Sequence, residues 1–211
     1  MKYGVEPEIV GEVDLEPSEF QYCVYLPIKM AGSYKPRIPE NLKWLTPLLD
    51  EICVELNDYV YVTVKHMIHQ GGCPVNRPGW HSDGFGTDDV NYVWYDCHPT
   101  EFAVGDFETY DPVPEDDKLS LDHFDRWALF LYLEHKVVFK TYPNKSLIKM
   151  DQHVVHRVSE KLFTGTRCFV KISVSKNKYD LQGNSHNYLF DYNWDMKPRE
   201  VYRNQPSSEE K

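Results

Sequence analysis

Between residues 42 and 56 apolar side chains recur at three- and four-residue spacing (Leu42, Leu45, Leu48, Leu49, Ile52, Cys53, Leu56), with Pro39 ahead of them and Asn57-Asp58 behind. That period lines one stripe of a helix, and it predicts a helix over residues 40–57 that packs one face on a core. The period then changes. Tyr59–Ile68 and Val90–Tyr95 are rich in Tyr, Val and Thr and read as strands, divided by the Gly-Gly, Cys-Pro and Arg-Pro-Gly turn signals of Gln70–Gly79. Further short strands are predicted at Phe20–Ile28, Val137–Thr141, Leu147–Asp151, Val154–Val158 and Thr166–Ser175. Ser120–His135 reads as a helix (Leu121, Phe124, Ala128, Leu131, His135) or in part as a strand, and its acidic, proline-containing lead-in favours an inserted helix. One helix packed on many short strands predicts a mainly β fold with flanking helices, an α-decorated sandwich or jelly roll.

The length of 211 residues fits one domain, taken as 1–195, with a polar, flexible tail over 196–211. The longest strongly apolar run, Trp127–Leu133, is far short of the roughly 20 residues a membrane helix needs. Acids and a proline in the first eight residues do not resemble a signal peptide, so a cytoplasmic, intracellular protein with no membrane partner is expected. Cys23, Cys53, Cys73, Cys97 and Cys168 are odd in number and never paired as C-x-x-C, which points to reduced thiols.

A net charge of −10 argues against a global positive field for nucleic acid. The charge is uneven, however. Residues 101–125, read as an acidic insert, hold nine acids against Lys118 alone, whereas residues 136–178 hold ten Lys or Arg against Asp151 and Glu160. The two segments either neutralise each other or leave a basic face suited to an anionic substrate such as a nucleotide, a nucleic acid single strand or a carboxylated metabolite.

Trp80-His81-Ser82-Asp83-Gly84 places an imidazole and a carboxylate two residues apart, on one side of the chain if it is extended. Val154-Val155-His156-Arg157-Val158 offers a further nitrogen ligand, for which His153 competes with His156. Eleven residues on stands Arg167, opening a strand on which Arg167, Phe169, Lys171 and Ser173 share one face and Cys168, Val170, Ile172 and Val174 the other. Two histidines and one carboxylate leave three coordination positions open, as in non-haem Fe(II) oxygenases, and a guanidinium clamps a carboxylate with two parallel hydrogen bonds.

An H-x-D, a distal His-Arg-Val, a loop and Gly165-x-Arg167 opening an alternating strand together resemble the Fe(II)/2-oxoglutarate-dependent dioxygenase superfamily. The resemblance covers roughly Pro78–Asp96 and Ser146–Val174 and favours His156 over His153. It implies a double-stranded β-helix (jelly roll) holding Fe(II) on His81, Asp83 and His156. It further implies 2-oxoglutarate as cosubstrate, its distal carboxylate on Arg167, with O2 consumed, succinate formed and an unidentified primary substrate hydroxylated. Tyr92, on the strand after the H-x-D, is the expected hydroxyl assisting Arg167. Some members have Arg-x-Ser where this chain has Arg167-Cys168-Phe169, so a serine partner at that spacing is missing. Two other functions fit the same ligands: a zinc-dependent hydrolase, which has no need of a distal carboxylate clamp, and an inactive jelly-roll binding module.

Overall fold

The computed structural model describes residues 3–71 and 77–199. In chain order the elements are β1 (Glu8–Glu12), β2 (Gln21–Lys29), a 3-10 turn (Glu40–Leu45) running into α1 (Thr46–Asp50), β3 (Tyr59–His69), β4 (Val90–Tyr95), β5 (Glu101–Gly105), α2 (Asp117–Leu133), β6 (Val137–Lys140), β7 (Ser146–Met150), β8 (Val155–Arg157) and β9 (Gly165–Ser175). The strands form a six-stranded sheet, β1-β7-β4-β9-β3-β2, and a three-stranded sheet, β6-β5-β8, and every pairing is antiparallel. The fold is mainly β. No described helix is long and apolar enough to cross a membrane.

Alternation along β9 places separate hydrophobic clusters on the two faces of the large sheet. Cys168, Val170, Ile172 and Val174 join Val60, Val62 and Val64 of β3 and Tyr92 and Trp94 of β4 in a cluster that buries Leu42, Leu45 and Leu48. On the opposite face of the same sheet Val93, Tyr95, Ile148, Met150 and Phe169 meet Phe102 and Val154 of the small-sheet side. Phe169 therefore faces the space between the sheets. By period two, so do Arg167, Lys171 and Ser173.

The N-terminal helix is shorter than the expected 40–57. It ends at Asp50, and its first six residues are 3-10. Pro47 has no N–H to give to a carbonyl four residues back, so α-helical bonding starts late, and Leu49 and Ile52 still reach the core, Ile52 from the turn that follows. The acidic insert is also shorter than 101–125, since Glu101–Gly105 is a strand of the small sheet. The α2 helix starts where Asp116 caps it, its side chain accepting from the N–H groups of Lys118 (2.9 Å) and Leu119 (3.0 Å). The stripe Phe124, Ala128 and Leu131 packs on Phe107 and Val137.

The β1 strand, absent from the sequence reading, pairs with β7 and is tied to it by Lys149 and Glu8 at 2.9 Å. At the other end, the expected tail over 196–211 is held as far as Arg199. Lys197 donates its N–H to the carbonyl of Asp180, and Gln182 donates to that of Lys197, both at 2.8 Å. Residues 200–211 and Cys73 lie outside the described residues.

Candidate metal centre

The site is built where the small sheet gains a single bridge. His81 and His156 exchange backbone hydrogen bonds of 2.9 and 2.8 Å, which sets their rings side by side with centroids 4.5 Å apart. The loop before His81 is fixed by the inserted helix, for Asp125 of α2 accepts the N–H of Trp80 at 2.6 Å. Gly79 is required there. It has φ +81°, and a Cβ would lie 2.5 Å from Asp125 Oδ2.

One ligand atom from each of His81, Asp83 and His156 lies within 4.8 Å of the others, so this group could hold a metal ion. Each imidazole has its Nδ1 against a backbone carbonyl, His81 on Gly79 (2.9 Å) and His156 on Val154 (3.2 Å). A neutral ring that donates from Nδ1 keeps Nε2 as an acceptor, the tautomer that ligation needs. His153 is not in the group; its ring lies against Tyr3 at 5.5 Å.

The electrostatics suit a cation. Burial, then the neighbouring His156, lowers the pKa of His81 to about 3, and burial likewise lowers that of His156 against the pull of Asp83. Both rings stay neutral and able to bind metal. Burial pushes the Asp83 carboxyl up, but Lys171, joined by the imidazoles where they are protonated, outweighs it and holds it well below the usual carboxylate range. Lys171 Nζ stands 2.9 Å from Asp83 Oδ2 and 3.1 Å from the Tyr25 hydroxyl. The ammonium is buried, yet Asp83 and Tyr25 raise its pKa.

A cavity of about 350 Å³ opens beside the three ligands. Its walls include Val93, Met150, Phe169 and Lys171 of β4, β7 and β9, Thr100 just before β5, and Tyr22, Tyr25, Thr63 and Lys65 of β2 and β3. Arg167 lies behind Phe169. It is 1% exposed, donates from Nε to the carbonyls of Cys97 and His98 (both 3.1 Å), and stacks 5.1 Å over the Phe169 ring. Its Nη2 is buried without a hydrogen-bond partner.

Tyr92 is not brought to the site. It sits on the opposite face of β4, within the first core cluster, because the face that carries Val93 to the cavity turns Tyr92 and Trp94 away. Trp80 and Phe85 fill the core under α2, and Trp80 also carries the Arg157 guanidinium 4.4 Å over its ring.

Two contributors were missed in the sequence. Lys65, on β3, pairs across the strand with Phe169, while its neighbours Thr63 and Met67 pair with Lys171 and Arg167. It thus lies diagonally between the two cations of β9, and burial, then Lys171 and Arg167, lowers its pKa to about 8. Alternation of β3 was the signal available. Tyr25 left none: it has φ +48° at a register shift between Cys23 and Leu26, a bulge that aims its ring into the cavity.

No family model matches this chain, and no curated protein matches it.

Proposed function

We propose that the protein is an Fe(II)- and 2-oxoglutarate-dependent oxygenase. The observation that carries this reading is the His81, Asp83 and His156 group, with ligand atoms within 4.8 Å and both Nδ1 atoms already engaged. Two nitrogens and one carboxylate oxygen are the donor set of the facial Fe(II) site. The fold reading is a jelly roll, and the chain order supports it. β3 is in the large sheet, His81 bridges the small, β4 is in the large, β5 and β6 in the small, then β7, β8 and β9 alternate. That alternation is how a double-stranded β-helix is wound.

Bound iron and 2-oxoglutarate would supply the oxidising chemistry, with O2 consumed and succinate formed. The residues of this chain bind and orient. Lys171 engages Oδ2 of Asp83 and restrains the carboxylate, and the Gly79 and Val154 carbonyls hold the two imidazoles. The buried, unpartnered Nη2 of Arg167 fits a carboxylate oxygen, although Arg167 itself does not line the cavity, and Lys65 is among the cations that do. Val93, Met150 and Phe169 line the adjoining wall with apolar surface that excludes water.

Anaerobic addition of 2-oxoglutarate to the Fe(II)-loaded protein tests the reading. A metal-to-ligand absorption band in the wild type, weakened in Arg167→Ala, is expected, and aerobic incubation should release succinate. Metal binding with no band and no succinate would sink it and leave the hydrolase and the inactive binding module.

A further inference from the structure

The face of β3 that lines the cavity with Thr63 and Lys65 continues past it with Tyr61 and Tyr59, as period two requires. These two rings join Tyr179, Leu181, Tyr25 and Trp194 in a hydrophobic cluster of their own. Tyrosine is a demanding choice for filling space, since each buried ring brings a hydroxyl to satisfy that Phe or Leu does not carry.

The rings form an unbroken series. Tyr25 and Tyr179 both line the cavity, with centroids 5.2 Å apart. Tyr179 meets Tyr61 edge-on at 5.4 Å, Tyr61 stacks on Tyr59 at 6.0 Å, and Tyr59 meets Trp194 at 6.2 Å. Trp194 is half-buried, so the series ends at solvent. At its inner end the Tyr25 hydroxyl accepts from Lys171 Nζ at 3.1 Å, and the same ammonium holds Asp83 at 2.9 Å.

The hydroxyls of this series differ in what they meet. Tyr61 donates to the Asn177 carbonyl at 3.1 Å, whereas Tyr179, 5% exposed, donates to Oδ2 of Asp89, itself 2% exposed. Asp89 Oδ1 accepts from Ser175. Burial raises the pKa of Asp89, which makes its carboxylate a better base. A phenol that loses an electron becomes a strong acid, and a base already in hydrogen-bond contact takes its proton in the same event.

Resting on the oxygenase reading, we propose that Tyr179 is a redox-active tyrosine with Asp89 as its proton acceptor. The ring series then carries electrons from solvent to the metal centre when 2-oxoglutarate is consumed without a primary substrate. Conversion of 2-oxoglutarate and O2 to succinate and CO2 leaves two oxidising equivalents, which hydroxylation passes to the substrate. With none bound, two electrons and two protons turn the second oxygen atom of O2 into water. Tyr179 gives the electrons one at a time, its phenolic proton moving to Asp89. Each time, an electron from Trp194 by way of Tyr59 and Tyr61 restores it, and the proton returns. Ascorbate refills Trp194, becomes dehydroascorbate and releases the two protons that the water takes up.

Two experiments separate this relay from the oxygenase. In the metal-free protein, tris(bipyridine)ruthenium(II) with persulfate is flashed and the sample frozen. Electron paramagnetic resonance should show a long-lived tyrosyl radical, identified by ring-deuterated tyrosine. Its yield should fall fivefold or more in Tyr179→Phe, and it should decay ten times or more faster in Asp89→Asn. No long-lived tyrosyl radical in the wild type, or one unchanged in Tyr179→Phe, would overturn the proposal. In the second experiment the Fe(II)-loaded protein receives 2-oxoglutarate, O2 and ascorbate with no primary substrate. The wild type should release succinate for at least five times as many turnovers before inactivation as Tyr179→Phe or Trp194→Phe. The variants should also gather at least five times more +16 Da adducts on cavity residues, read by peptide mass spectrometry. Trp194→Phe keeps an apolar ring at a half-buried position and tests the relay without disturbing Asp89. Variants that match the wild type in both turnovers and adducts would overturn the relay. The two readings fail separately. A Tyr179-dependent radical in a protein that forms no succinate removes the oxygenase and keeps the redox-active tyrosine. Succinate release with a radical indifferent to Tyr179 removes the relay alone.

Discussion

Lys171 and Asp83, from β9 and from the loop leading to β4, meet at 2.9 Å, with His156 Nε2 3.8 Å from the same carboxylate oxygen, so the carboxylate of the candidate metal centre already has one cationic partner. Lys171 keeps 11% of its side chain exposed and Asp83 24%, so the pair is largely out of water. Removing one member of a buried pair leaves the other uncompensated, at about 3–5 kcal/mol when burial is complete. Lys171→Met should therefore destabilise the metal-free protein by about 3 kcal/mol, the lower end because Asp83 is not fully buried. For a chain of this size that is a fall of roughly 6–12 °C in Tm. A divalent metal ion should raise the Tm of the variant by more than that of the wild type, because it replaces the missing charge beside Asp83. Equal metal-induced shifts in calorimetry would show that the carboxylate does not ligate.

The ligand set is tested directly by metal analysis. His81→Ala, Asp83→Ala and His156→Ala should each abolish stoichiometric Fe(II) binding, whereas His153→Ala should retain it, since His153 stands against Tyr3 and outside the group. Loss in His153→Ala with retention in His156→Ala would reverse the distal assignment.

Arg167→Ala should weaken 2-oxoglutarate binding ten- to over a hundredfold, corresponding to the ~1.5–3 kcal/mol of a charge-assisted pair, with Fe(II) binding unchanged. Arg167→Lys should recover part of the loss, as an ammonium lacks the planar fork. An unchanged affinity in Arg167→Ala, read from the absorption band, would transfer the clamp to Lys65, one of the cations that line the cavity.

The affinity for 2-oxoglutarate should also fall as pH rises from 7 to 9.5. Lys65 loses its proton near 8 because burial, Lys171 and Arg167 disfavour its charge. A bound carboxylate favours that charge, so binding is strongest where the proton is retained. Lys65→Arg, which stays charged, should flatten the profile. The effect on folding has the opposite sign: a base whose folded pKa is depressed adds stability as pH rises from about 8 to its ordinary 10.5. Tm and affinity should thus move in opposite directions through this window if Lys65 alone dominates both, and an affinity that holds constant to pH 9.5 would remove Lys65 from the site.

The elements most legible in the chain were those with a uniform local composition. Val90–Tyr95 was placed to the residue, and β3, β7 and β9 to within one, because each is a short run of β-branched, aromatic and other apolar residues buried along most of its length. The β1 strand was missed because Glu8–Glu12 has no such run and is held by pairing with β7 and by Lys149. The helix over 40–57 was read too long because its stripe does continue past Asp50, but on turns that bring Ile52 to the same core.

By itself the sequence determined the face of β9 that carries Arg167 and Lys171, and it named His81, Asp83 and His156 as a possible set, because strand periodicity is local and survives without knowledge of neighbours. Whether those three meet was decided only in three dimensions, by the backbone bridge between His81 and His156 across 74 intervening residues. Lys65 and Tyr25 were beyond local reasoning for the same cause. Which cation stands beside which depends on strand pairing in the sheet, and the direction of Tyr25 depends on a bulge whose left-handed backbone is kept by the packing around it. Tyr92 makes the converse case: a single residue's shift along a strand moves a side chain from the site to the core, and its position in β4 relative to Val93 became readable only once the structure showed which face held the cavity.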